Sequence, residues 1–227
     1  MILTDSHHNE NAGEHTMAQY FRIHPDNPQM RLIRQAIVIL NNGGVVVYPT
    51  DSCYALGCRI GAMEALERIR QLRRLEDSHM LTLMCRDLSV IGSYARVDNP
   101  AFRLMKSLTP GPYTFLLTAS RDVPRRLQHP RRKIIGARIP DNSIALALLQ
   151  ELGGPILSTS LILPGEELPL TEPEQIKTRI GNEVDLVIDG GVCGLEPTTV
   201  VDLTGDEPAV VRAGKGDVSI FEAPSRV

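Results

Sequence analysis

The side chains best suited to chemistry in this chain are hydroxyls and guanidiniums gathered where hydrophobic runs end. Val45-Val-Val-Tyr-Pro-Thr-Asp-Ser52 delivers Thr50, Asp51 and Ser52, Gly136-Ala-Arg-Ile-Pro140 delivers Arg138, and Pro155-Ile-Leu-Ser-Thr-Ser160 closes on Ser158, Thr159 and Ser160. Thr198-Thr199 adds a fourth such end. A hydroxyl both donates and accepts, and the arginine fork matches a carboxylate bidentately, so this set suits a small polar ligand such as an amino acid. Arg73, Arg212 and the segment 121–133, with six cations against one acid, are candidates for phosphate contacts. No Gly-x-x-x-x-Gly-Lys-Ser/Thr, Gly-x-Gly-x-x-Gly or Gly-x-Ser-x-Gly signature occurs. A hydrolase built on Ser160 would need a histidine base, and spacing does not choose between His79 and His129. Cys53 is a candidate nucleophile inside the first motif, although buried, unreactive cysteine is the commoner outcome.

These side chains need strands to hold them. Val45 to Val47 are β-branched, and Pro49 cannot donate a ladder hydrogen bond, so a buried strand ends there and Thr50 to Ser52 lie beyond its carboxyl end, the usual ligand position in an open α/β sheet. Further strands are expected at 80–84, 113–118, 133–139, 155–160, 184–188, 198–203 and 208–212. Helices alternate with them. Asn27-Pro28 is expected to cap one that runs to Leu40, Met63, Leu66, Ile69 and Leu72 mark a second over 62–74, and Asn99-Pro100 starts a third that runs through Leu108. Asn142 or Ser143 caps a fourth to Leu152, and the capping box Thr171-Glu-Pro-Glu174 opens a fifth to about Ile180. The expected class is α/β with a mixed sheet, because several late strands lack intervening helices.

Composition sets the frame. With 227 residues, 42% hydrophobic and 22% charged, the chain has globular values and enough length for one large domain. The net charge of −3 argues against a general polyanion binder, leaving only the local basic segment. Four irregularly spaced cysteines without a Cys-x-x-Cys pair predict reduced thiols, no metal centre and a cytoplasmic location. No apolar run reaches membrane-spanning length. Residues 1–16 are expected to form a flexible leader, 17–218 the folded domain and 219–227 a tail.

Seven ordered segments carry a resemblance: Tyr48-Pro-Thr-Asp-Ser-Cys-Tyr-Ala-Leu-Gly57, Pro110-Gly-Pro-Tyr-Thr114, Gly136-Ala-Arg-Ile-Pro140, Pro155-Ile-Leu-Ser-Thr-Ser160, Asp189-Gly-Gly191, Pro197-Thr-Thr-Val-Val-Asp202 and Val211-Arg-Ala-Gly214. Together they resemble the YrdC-type threonylcarbamoyl-AMP synthase family, and within it the YciO branch. The resemblance implies a single-domain YrdC-like twisted mixed sheet with flanking helices and a large concave cleft. It implies condensation of L-threonine, bicarbonate and ATP, the ATP accompanied by Mg²⁺, to threonylcarbamoyl-adenylate and pyrophosphate for tRNA modification. Thr50, Arg138, Ser158 and Thr198 would then hold threonine, Arg73, His79, Ser160 and Arg212 the nucleotide, and Arg73 and Ser160 would act in catalysis. The family's Lys-x-Arg stands here as Gln71-Leu-Arg73 and its Ser-x-Asn as Ser160-Leu-Ile162, which removes a cation and an amide on the nucleotide side. A second implied class of partner is tRNA or double-stranded RNA on a basic concave face.

Overall fold

The computed structural model describes residues 17–76, 79–121, 123–129 and 131–221. The leader expected at 1–16 and the last residues of the expected tail lie outside them. Eleven strands form one mixed sheet: β1 Gln19–Arg22, β2 Val46–Tyr48, β3 Ala55–Arg59, β4 Thr82–Met84, β5 Ala95–Arg96, β6 Tyr113–Ala119, β7 Ile134–Arg138, β8 Ile156–Ser160, β9 Leu186–Asp189, β10 Thr199–Asp202 and β11 Ala209–Arg212. Their order is β1-β9-β2-β3-β8-β4-β7-β6-β10-β11, with β5 paired to β6. Among the described residues six α-helices flank it: α1 Met30–Asn41, α2 Met63–Arg73, α3 Leu88–Tyr94, α4 Asn99–Leu108, α5 Ser143–Leu152 and α6 Pro173–Ile180. No helix among the described residues is long and apolar enough to cross a membrane.

Strand alternation sorts the core into two layers. Val46 and Tyr48 pack with Ile33, Ala36 and Ile37 of α1 and Ile144 and Leu148 of α5. Val45 and Val47 belong to the other layer with Leu66 and Ile69 of α2, Ile91 of α3, Met105 of α4 and Ile176 of α6. The helix pair α1 and α5 thus covers one part of its face of the sheet. The neighbouring part of that face lines the cavity described below.

Several expected helix starts lie elsewhere. α1 begins at Met30 after Gln29, which makes no side-chain cap. The reason is His24, whose Nδ1 accepts the N–H groups of Asp26 and Asn27 and turns the chain before the helix. α4 is capped by Asp98 rather than Asn99, its side chain accepting from the Ala101 N–H at 2.8 Å. The Thr171 box does not form: Pro173 at the first helical position favours an extended residue before it, so Glu172 occupies the cap position, and Glu174 instead pairs with Arg22. Asn142 does cap α5, accepting from the Ala145 N–H.

Four elements went unread in the sequence: β1, β3, α3 and β5. Most consequential is β3, which pairs antiparallel with β2 from Val46↔Gly57 to Tyr48↔Ala55. Residues 49–54 are therefore the loop of a hairpin rather than a free exit. At the other end, Ser219–Phe221 forms a short 3₁₀ turn whose Phe221 ring meets Tyr113 edge-on.

Candidate functional site

Two cross-strand rows make the floor of a cavity of about 410 Å³, a size typical of small-molecule sites. Pairing aligns Ser158 with Thr82, Thr82 with Gly136 and Gly136 with Leu116. The adjacent row runs Met84, Arg138, Thr114, Val200 and Arg212. Because side chains alternate, all of these lie on one face of the sheet and line the cavity. Gly136 keeps the floor low, since a Cβ there would stand 3.2 Å from Thr82 Oγ1. Arg138 and Arg212 start three strands apart, roughly 14 Å at the usual strand spacing, so the floor carries a cation toward each end.

The hairpin loop supplies one wall and organises Arg138. Thr50 Oγ1 accepts the N–H groups of Ser52 and Cys53 and donates to the Cys53 carbonyl at 2.6 Å, so its hydroxyl is committed to its own turn. Arg138 donates to Ser52 Oγ at 3.0 Å and to Asp51 Oδ1 at 2.5 Å, and both charged side chains are at least nine-tenths buried. Its Nε and Asp51 Oδ2 are buried without partners. Ser158 accepts from Tyr48 and donates to the Leu56 carbonyl, a relay beneath the floor. Burial raises the Tyr48 pKa, so its hydroxyl stays protonated as the donor. Thr114 and Thr198 share a hydroxyl hydrogen bond of 2.8 Å, and Arg212 donates to the Thr198 carbonyl at 2.9 Å.

The other end is cationic. Arg73, last residue of α2, reaches the cavity with a buried Nε that has no partner, and no acid among the described residues pairs with it. Desolvation lowers the proton affinity of Arg73 and Arg212, with the nearby Cys53 acting the other way. His79 stands at the rim, its pKa lowered by desolvation and then by Arg73, Arg70 and Arg212. Ser160 lines the cavity where β8 ends, and its hydroxyl makes no hydrogen bond among the described residues.

All eight residues singled out for threonine and nucleotide, Thr50, Arg73, His79, Arg138, Ser158, Ser160, Thr198 and Arg212, thus line one cavity. Gln71 does not. Helix positions two residues apart point about 200° from each other, so Arg73 facing the cavity turns Gln71 to solvent, where it donates to Glu67. The altered position that does reach the cavity is Ile162. His129 is outside it, its Nδ1 accepting the N–H groups of Arg131 and Arg132. Arg132 pairs with Asp202, and no described residue of 121–133 lines the cavity. Sequence reading missed Thr82, Met84, Thr114, Leu116 and Gly136. The one signal is the alternation of Thr82, Thr114 and Gly136 with apolar neighbours along β4, β6 and β7, and Met84 and Leu116, apolar themselves, carry none.

Cys58, Cys85 and Cys193 have thiol pKa values pushed up to about 12 by burial. Among the described residues no group of three or more His, Cys, Asp or Glu side chains is placed to hold a metal ion. Asp51, the acid beside the cavity, is engaged with Arg138. The lining among the described residues does not fit a resident magnesium ion.

A family model described as Sua5_yciO_yrdC, telomere recombination, matches residues 38–214. The Escherichia coli K12 protein YciO is 60% identical over 205 residues, 90% of this chain and 100% of that protein. A threonylcarbamoyl-AMP synthase of Neisseria gonorrhoeae is 32% identical over 172 residues, 74% of this chain and 89% of the relative. In three dimensions the crystal structure of E. coli YciO matches with a TM-score of 0.88 at 59% identity, covering 91% of this chain and 100% of that one. P. abyssi Sua5 complexed with L-threonine matches with a TM-score of 0.78 at 26% identity, covering 88% of this chain and 58% of that one. The cleft-bearing sheet, the matched segment and these relatives agree: the chain belongs to the Sua5/YciO/YrdC family, close to YciO and more distantly related to the threonylcarbamoyl-AMP synthases.

Proposed function

We propose that this protein is a threonylcarbamoyl-AMP synthase-like nucleotidyltransferase acting on L-threonine, bicarbonate and ATP. The observation that carries the reading is Arg73: a guanidinium in a cavity wall, with a buried Nε and no acid paired with it among the described residues, is an unfavourable arrangement until an anion arrives. Phosphate oxygens would answer it, with Arg212, His79 and Ser160 along the same anion. At the other end Arg138 is held still by Asp51 and Ser52, and its remaining N–H groups would receive the threonine carboxylate.

The chemistry asks for little covalent help. The threonine amine and bicarbonate form a carbamate with loss of water. A carbamate oxygen attacks the α-phosphate, the bond to the bridging oxygen breaks, and pyrophosphate leaves. Arg73 and Arg212 would stabilise the charge that develops, and the rigid floor would align the reactants. Ile162 gives the nucleotide an apolar neighbour in place of an amide.

The test is pyrophosphate release from ATP by the full chain. Release that requires both threonine and bicarbonate is expected. Release no faster than without enzyme, across a panel of amino acids, would reject the synthase reading.

A further inference from the structure

One side chain at this cavity can change its charge near neutral pH, and it stands where positive charge is densest. His79 lines the rim with Arg73 and Arg212, and its backbone N–H is tied to the Glu76 carbonyl at 2.9 Å, which fixes where the ring begins. Among the described residues, the charges that bear on its imidazole are all positive: Arg73 and Arg70 from α2 and Arg212 from β11. Its ring makes no hydrogen bond among those residues, so both nitrogens remain available to a ligand. Partial desolvation and the three guanidiniums lower its pKa from the ordinary 6.5, so the free cavity holds a neutral imidazole at pH 7.

We propose that His79 is a proton-linked phosphate receptor: neutral in the free cavity, it takes a proton from solvent as polyphosphate oxygens settle among Arg73, Arg212 and the imidazole, and returns it when pyrophosphate leaves. This rests on reading the cavity as a phosphate site. An anion placed among these groups cancels the repulsion that the arginines exert on an imidazolium and adds an attraction, so the ligand raises the proton affinity that the empty site suppresses. By linkage, proton and ligand then strengthen each other's binding equally. A permanently charged fourth cation would be repelled by Arg70, Arg73 and Arg212 in the free state and would retain the product. A titratable one avoids both.

The experiment is calorimetric titration of the wild-type chain, His79→Gln and His79→Lys with inorganic pyrophosphate, in buffers of different ionisation enthalpy. His79 is exposed, so the variants are expected to fold. Subtracting the His79→Gln result removes the ligand's own titration, and wild type should then show a net proton uptake on binding near neutral pH. Its affinity advantage over His79→Gln should shrink severalfold between about pH 6.5 and 8.5, whereas His79→Lys should keep its advantage. Equal proton uptake by wild type and His79→Gln overturns the proposal while leaving the phosphate site standing. A His79→Lys variant that binds no better than His79→Gln also overturns it, by removing the position from the anion. Wild type that binds no pyrophosphate at all overturns the phosphate reading and this one together.

Discussion

Arg73 and Arg138 line the same cavity, and their surroundings give them different work. Arg138 is buried in an ion pair with Asp51 and a hydrogen bond to Ser52, so it belongs to the folded framework before any ligand comes. Arg73 has no such partner among the described residues. The two should separate under mutation. Arg73→Ala is expected to leave the unfolding midpoint unchanged or slightly higher, because it removes a desolvated, unpaired charge, while costing about 1.5–3 kcal/mol of anion contact, or roughly ten- to a hundredfold in nucleotide-dependent rate. Asp51→Ala should do the reverse first, destabilising by about 3–5 kcal/mol as Arg138 is left buried and unpaired. Urea unfolding beside the pyrophosphate assay reads both, and a large stability loss in Arg73→Ala would contradict its assignment as a ligand-facing group. At this scale the sequence was informative about residue type and poor about availability. Thr50 and Ser158 were legible as hydroxyls at strand ends, yet their hydrogen bonds are spent on Cys53, Tyr48 and Leu56. A hydroxyl's partners are set by neighbours distant in the chain, such as Ser158 from Tyr48, and no local pattern encodes them.

The elements around the site are tied by close backbone contacts. After β11 the chain crosses in front of β10 and β6: the Gly214 N–H donates to Thr199 Oγ1, that hydroxyl donates to the Gly216 carbonyl, and Tyr113 donates to the Asp217 carbonyl. Lys215 reaches from this strap to the Asp51 carbonyl in the hairpin loop. Glycine makes the crossing possible, since a Cβ on Gly214 would stand 2.4 Å from the Pro197 carbonyl oxygen and 2.7 Å from Thr198 backbone atoms. Gly214→Ala should therefore displace the strap from Thr198 and Thr199, destabilising by about 1–3 kcal/mol and lowering the melting temperature by several degrees. Thermal unfolding with and without ligand checks this, and an unchanged melting temperature would show that the strap gives way at no cost. Element reading from sequence succeeded for α2, α5, β2, β6, β7 and β8, where apolar periodicity or a long apolar run was strong. It failed for β3, whose Ala55-Leu-Gly-Cys-Arg59 alternates no polar residue because both of its faces are buried.

Across the whole molecule, one sheet joins both core layers, so unfolding should be a single cooperative event. Its response to acid follows from His79 and from surface carboxylates. The Val90 N–H and the Arg86 guanidinium hold Asp87 below the usual carboxylate range, and the Ser219 N–H and hydroxyl do the same for Asp217. A depressed folded-state pKa contributes stability that is complete above the unfolded value of about 4 and is lost as pH falls through the folded value. The melting temperature should begin to fall below about pH 6.5, where the unfolded chain's His79 takes up a proton that the folded site resists, and fall further below about 4 as Asp87 and Asp217 are protonated, whereas a melting temperature flat from about pH 7 to 5 would contradict the depressed His79 pKa. The sequence by itself determined the α/β class, the hydrophobic strands, the strand-end hydroxyls and arginines, and the family resemblance, because each is written in local periodicity and in ordered motifs. Only the tertiary structure decided which of these meet. Sheet order put Arg138 and Arg212 in one row from strands far apart in the chain, helical phase turned Arg73 inward and Gln71 to solvent, and pairing committed the hydroxyl protons of Thr50 and Ser158 to the Cys53 and Leu56 carbonyls. Such outcomes depend on contacts between distant segments, and those exist only once the sheet has closed.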